Sequence, residues 1–237
     1  MQLDDIIIEE NFFDKTLISK LWEDCKKLDH LGEDFIDKWG IWKGQKVARQ
    51  NFFRKFDNTT ENDQYKDCPQ SLQQVIGKII KFFNQNIIIR EISYTQLFLP
   101  WDIHCDLTKE DIEGNDAYKS TNIAQYKPFY NVLIPLHDVD SKTIMFNETS
   151  TEYNDFHLYK KNNPQSQNPV SEDIWNENLD MCWDEDRLWL SIKKILPNQN
   201  AGQFIAFRRH FFHSSDNFHK RKVPCKHFVQ LLLDTKK

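Results

Sequence analysis

The sequence predicts a mainly β protein with flanking helices, an α+β chain built on an antiparallel jelly roll. Three observations predict it. Strand-like runs outnumber helical ones in the second half, the turns between them are short, and the residues best suited to chemistry lie on strands far apart in sequence. At 237 residues the chain is expected to be a single domain, residues 1–237, with a substantial core. Within it, residues 1–90 read as helical and aromatic support. Residues 91–237 read as the jelly-roll core, interrupted by an insertion over about 147–197.

Taken in order, 11–28 has Leu17, Leu21 and Leu28 at helical spacing and reads as an amphipathic helix. The stretch 39–56 is irregular and aromatic and reads as short strands, followed by a polar loop over 58–67. Pro69 opens the clearest helix, 69–86, whose Leu72, Val75, Ile79, Ile80 and Phe83 form one apolar face. Residues 91–98 are rich in β-formers, as are 128–136 and the shorter 143–146. From 147 to 197 the chain turns polar and then helical, with Trp175, Trp183 and Trp189 on helical spacing. Those tryptophans are read equally as a lid over the core or as plain packing. Residues 202–213 read as one strand region, in which His213 shares parity with Phe207, Arg209 and Phe211. The buried run 226–233 closes the fold.

Composition narrows the function classes. A formal net charge of −5 argues against bulk nucleic-acid binding, and the basic run 219–222 is too short to reverse this. Five scattered cysteines without a C-x-x-C pair suit reduced thiols rather than a disulfide framework or a zinc finger. No basic leader opens the chain and no apolar run is long enough for a bilayer, so the expectation is a soluble, cytoplasmic protein with no membrane partner.

The chemistry centres on His104-Cys105-Asp106. On an extended strand, residues i and i+2 share a face, so an imidazole and a carboxylate meet at one point while Cys105 turns away into the core. A distant strand can supply a third ligand in His213. Two histidines and a carboxylate leave three open positions on an octahedral ion, the arrangement of non-heme Fe(II) oxygenases. His137, His157, His210, His219 and His227 have no spacing that singles them out, and the acidic run 184–186 reads as a solvated face.

Several stretches together resemble the Fe(II)/2-oxoglutarate-dependent dioxygenase superfamily, most nearly its prolyl-4-hydroxylase-like branch with features of the phytanoyl-CoA hydroxylase-like one. His104-Cys105-Asp106 is similar to the family's His-x-Asp. Asn131-Val132-Leu133-Ile134-Pro135-Leu136 resembles the strand that follows it. Thr143-Ile144-Met145-Phe146 resembles the Gly-x-Thr-x-Phe segment without its glycine, and Gly202 to Phe207 resembles the strand leading to the distal histidine.

The resemblance implies a double-stranded β-helix core and iron held by His104, Asp106 and His213. It implies 2-oxoglutarate and O2 as co-substrates, with hydroxylation of a small-molecule or peptide substrate and release of succinate and CO2. Lys226, opening the last strand, would neutralise the far carboxylate of 2-oxoglutarate, because an unpaired charge inside the barrel is costly. The family more often has arginine there, and Arg221 and Lys222 lie nearer the usual spacing but in a charged loop. Tyr94 and Asn131 fall where they would line the co-substrate pocket. Trp101 and Arg209 are candidates for substrate contact, with a solvated strand edge as the other reading of Arg209. Two rivals remain: a jelly-roll binding module without catalysis, and a cupin-type metalloenzyme without a keto acid. The absence of a His-x-His pair weighs against the cupin.

Overall fold

Side-chain alternation along the long strands decides how the layers stack. The structure, a computed structural model, describes residues 4–27, 41–42, 45–46, 48–54, 68–83, 87–97, 100–107, 126–150 and 156–236. In chain order these form β1 (Ile6–Glu9), α1 (Lys15–Lys27), β2 (Ile41–Trp42), β3 (Gln45–Lys46), β4 (Ala48–Arg54), α2 (Gln70–Phe83), β5 (Ile87–Leu97), β6 (Tyr126–Pro135) and β7 (Thr143–Thr149). Then come α3 (Phe156–Asn162), α4 (Glu172–Asn178), a 3-10 turn (Asp184–Trp189), β8 (Ile192–Ile195), β9 (Phe204–Arg208) and β10 (Phe211–Ser215). A second 3-10 turn (Phe218–Arg221) and β11 (Lys226–Lys236) finish the chain.

The strands form a six-stranded sheet ordered β1-β9-β6-β11-β5-β4, a three-stranded sheet ordered β10-β7-β8, and a β2-β3 ribbon, all antiparallel. Neighbours within each large sheet come from distant parts of the chain, and the sheets are open at their edges: a jelly roll with flanking helices.

On the outer face of the large sheet, Ile92, Tyr94, Val132, Val229 and Leu231 pack against Ile18 and Leu21 of α1 and Val75 and Ile79 of α2. Each such fully buried aliphatic side chain contributes about 1.5–3 kcal/mol. Its inner face presents Leu97, Leu133, Phe207 and Phe228 to Met145 and Phe211 of the small sheet. The small sheet's other face, with Ile144, Phe146 and Phe212, is covered by Phe156, Trp175 and Leu179 from the segment before β8. Ser171 caps α4, its side chain accepting from the Ile174 amide at 3.4 Å, with Glu172 and Asp173 complementing the helix dipole.

Several expectations shift. The first helix begins at Lys15, because Asn11 adopts a left-handed φ of 55° and Asp14 caps the helix by accepting from the Thr16 amide at 2.7 Å. Leu28, the run 58–67 and most of 28–47 lie outside the described residues. The N-terminal part is more than support, since β1 and β4 form the two edges of the large sheet. The insertion is shorter than 147–197: β7 runs on to Thr149, and Ile192 to Ile195 pair with β7 instead of continuing a helix. Residues 202–213 are not one strand. A corner at Arg209-His210 separates β9 in the large sheet from β10 in the small one, so parity does not carry across it. Among the described residues, no helix is long and apolar enough to cross a membrane.

Gly202 closes the turn before β9 with a φ of 92°, and a Cβ there would lie 2.8 Å from the Phe13 carbonyl oxygen. That backbone oxygen cannot retreat cheaply, because Phe13 also donates its amide to the Gly202 carbonyl at 2.8 Å. Gly202→Ala is therefore expected to destabilise the fold by about 1–3 kcal/mol. A denaturant melt is the check, and an unchanged midpoint would contradict the strain argument.

Candidate metal centre

Backbone pairing brings the two histidines together. His104 and His213 lie opposite each other in an isolated antiparallel bridge, His104 donating its amide to the His213 carbonyl at 3.0 Å and receiving the reverse bond at 2.8 Å. Such cross-strand partners project to one face, and the two rings stand 4.2 Å apart between centroids. Asp106, two residues beyond His104, shares that face, its Oδ2 lying 3.3 Å from His213 Nε2. One ligand atom from each of His104, Asp106 and His213 lies within 4.8 Å of the others. Cys105, between the two, is buried in the core on the far side of the small sheet.

The imidazoles are oriented for coordination. His104 Nδ1 sits 2.6 Å from the Asp102 carbonyl and His213 Nδ1 sits 3.1 Å from the Phe211 carbonyl. A carbonyl can only accept, so each Nδ1 carries a proton, which leaves Nε2 as the ring nitrogen that can coordinate. Burial, reinforced by the neighbouring His213, pushes the His104 pKa down to about 4, so it is neutral at physiological pH. Burial alone would raise Asp106, but the two imidazoles and the Asn131 amide outweigh it and hold the carboxyl below its usual range. Two imidazole nitrogens and one carboxylate, with partners fixing their aim, are a donor set that fits a divalent first-row metal.

The surrounding groups brace this cluster. Asn131 Nδ2 donates to Asp106 Oδ2 at 2.6 Å, and Gln230 Nε2 reaches Asp106 Oδ1 at 3.5 Å. Trp101 stacks on His104 with centroids 5.2 Å apart, and the Phe207 ring lies 4.5 Å from that of His213. Trp101, His104, Asp106, Asn131, His213 and Lys226 all line one cavity between the sheets.

Lys226 is buried at the start of β11. Its Nζ donates to Ser215 Oγ at 3.1 Å and lies 5.0 Å from the centre of the Phe218 ring. No carboxylate among the described residues pairs with it, and burial, aided by the Arg221 charge, pushes its pKa down to about 7. Thr143 and Gln199 line the cavity too, Gln199 Nε2 lying 3.5 Å from Thr143 Oγ1. Arg221 is engaged elsewhere, paired with Asp140 and with buried Asp216, and Lys222 is exposed in a left-handed turn; neither lines the cavity.

Two sequence candidates lie elsewhere. Tyr94 is on the outer face of the large sheet, in phase with Ile92, where its hydroxyl bonds His227 Nδ1 at 2.8 Å. Arg209 neither lines the cavity nor forms a solvated edge: it is fully buried, with Nη1 2.6 Å from Asp234 Oδ1. The acidic run also divides, since Asp186 is buried and paired with Lys160. None of 156–197 lines the cavity; Trp175 is core, while Trp183 stays 70% exposed. Ser215 and Gln230 went unread, yet parity could have found them: Ser215 follows His213 by two residues, and Gln230 shares the phase of Lys226 and Phe228.

Lys226 also makes stability depend on pH. Its folded pKa near 7 lies below the unfolded value near 10.5, so between these the unfolded chain holds more protons and stability rises with pH. The penalty is full below pH 7 and relieved towards pH 10.5. Melting curves from pH 7 to 10 are expected to show this gain in the wild type and to lack it in Lys226→Met. Equal slopes in the two proteins would contradict it.

No family model matches the chain, and no curated protein matches it. Solved structures do. The α-ketoglutarate-dependent non-heme carbocyclase SnoK from nogalamycin biosynthesis aligns over 98% of this chain and 79% of its own, with a TM-score of 0.58 and 13% identity. EctD from S. alaskensis, solved with 2-oxoglutarate and 5-hydroxyectoine, aligns over 98% and 72%, with a TM-score of 0.55 and 11% identity. HygX from Streptomyces hygroscopicus, solved with nickel and 2-oxoglutarate, aligns over 98% and 82%, with a TM-score of 0.51 and 8% identity. At such identities the likeness is one of fold: the chain has the jelly-roll fold found in non-heme, 2-oxoglutarate-dependent enzymes.

Proposed function

We propose that this protein is an Fe(II)- and 2-oxoglutarate-dependent oxygenase that hydroxylates a small-molecule or peptide substrate and releases succinate and CO2. The observation that carries the reading is the placement of His104, Asp106, His213 and Lys226 on the walls of one cavity. Three ligands and one buried, carboxylate-free cation are what a metal-chelating dicarboxylate requires.

His104, Asp106 and His213 hold the iron, and when bound, Fe(II) with 2-oxoglutarate and O2 supplies the oxidising power that side chains lack. Asn131 and Gln230 hold the Asp106 carboxylate in its aim. Lys226, steadied by Ser215, receives the far carboxylate of the keto acid, with Thr143 and Gln199 beside it. Trp101 covers one face of His104 and keeps water from it. Alternate residues of β11 line the cavity from Lys226 through Gln230 to Leu232, a span of about 20 Å at the rise of a strand. Since Gln230 contacts Asp106, the residues that would hold the metal lie between the ends, and the end at Leu232 and its cross-strand partner Glu91 is left for the substrate. Uncoupled turnover tests the reading: CO2 release from 2-oxoglutarate is expected to require both Fe(II) and O2. No metal-dependent release, with or without candidate substrates, would contradict it.

A further inference from the structure

Among the described residues, Arg209 is the largest charged side chain with no exposure. Burying a guanidinium costs several kcal/mol unless its donors are well placed, and hydrocarbon would fill the same space at lower cost. Its donors are well placed, and several go to one residue. Arg209 Nε and Nη2 donate to the main-chain carbonyl of Asp106 at 3.0 and 2.8 Å, while the Asp106 amide donates to the Arg209 carbonyl at 2.9 Å. Residue 209 thus grips the main chain of residue 106 through both its N–H and its C=O. The guanidinium is anchored in turn: Nη1 lies 2.6 Å from Asp234 Oδ1, and Asp234 Oδ2 accepts from Arg90 Nε at 2.5 Å.

The location matters as much as the bonds. Arg209 stands at the corner between β9 and β10, just ahead of the strand that carries His213. Asp234 belongs to β11 and Arg90 to β5, in the large sheet. One Arg–Asp–Arg chain, fully buried at Arg209 and Asp234, therefore ties that sheet to the backbone of Asp106 and to the start of the His213 strand. We propose that Arg209 is a positioning residue for the metal centre: anchored by Asp234, its guanidinium fork fixes the main chain of Asp106 so that the carboxylate converges with the His213 imidazole. This rests on the metal-centre reading above.

Arg209→Lys keeps the charge beside Asp234 but loses the fork. Arg209→Met removes the charge yet leaves Asp234 paired with Arg90, so the buried carboxylate stays compensated and the variant is expected to fold. Arg90→Lys disturbs the same carboxylate without touching Asp106 and serves as the control. Co(II) is the probe, read by calorimetric titration and by its visible d–d bands, beside a thermal melt of each apoprotein. The expected result is Co(II) affinity about 10–100-fold weaker with shifted bands in both Arg209 variants, as for other partners behind metal ligands. Arg90→Lys is expected to lose melting temperature but to keep wild-type affinity and bands. Unchanged affinity and bands in either folded Arg209 variant would overturn the proposal, as would a loss that merely tracks melting temperature across all three. Wild-type protein that takes up no Co(II) would instead overturn the metal-centre reading.

Discussion

Asp106→Ala is expected to abolish metal-dependent consumption of 2-oxoglutarate while leaving the protein folded. The carboxylate is the only anionic member of the ligand cluster, so its loss leaves only two imidazoles facing a divalent ion. Partners that merely steady a ligand are worth about 10–100-fold in affinity, so losing the ligand itself should cost more than about 100-fold. The fold loses less. Asn131 Nδ2 forfeits its 2.6 Å acceptor, at about 1–3 kcal/mol, which lowers the melting temperature of a chain this long by about 2–12 °C. Metal titration beside a thermal melt separates the two effects. A variant that binds metal and turns over 2-oxoglutarate normally would remove Asp106 from the centre.

Lys226→Met should move binding and stability in opposite directions. In the metal-loaded protein the variant is expected to bind 2-oxoglutarate about 100-fold more weakly, because a buried carboxylate left without its cation costs about 3 kcal/mol. The apoprotein at pH 7 and below is expected to melt higher than wild type, since a desolvated ammonium has been replaced by hydrocarbon. Arg221→Met should do the reverse: 2-oxoglutarate affinity is kept, and stability falls because buried Asp216 loses its ion pair. Calorimetry and melts on the two variants decide between the cations. Unaltered affinity in Lys226→Met with loss in Arg221→Met would transfer the role to Arg221.

What the sequence made legible follows the range of the interactions. That His104 and Asp106 share a face could be read because an i, i+2 pair needs only local extended geometry, and that Lys226 opens the last strand because the run after it is unmistakably apolar. Tyr94 was misplaced because β5 is buried on both faces. Ile92 and Tyr94 point to the helices and Leu97 to the other sheet, and the polar Ser93 and Thr95 that alternate with them are buried as well, so the alternation does not separate a core face from a solvent face. The corner at Arg209 was hidden by an unbroken run of β-formers on either side of it. Arg209's role depends on Asp234 and Asp106, partners that no local pattern announces. The edge strand β1 escaped because four residues are too few to show a period.

The most direct measurement is an anaerobic titration of the Fe(II)-loaded protein with 2-oxoglutarate, followed in the visible. A weak metal-to-ligand charge-transfer band is expected, saturating at one equivalent of keto acid and lost in Asp106→Ala. Fe(II)-loaded protein that shows no such band at any concentration of 2-oxoglutarate would contradict it.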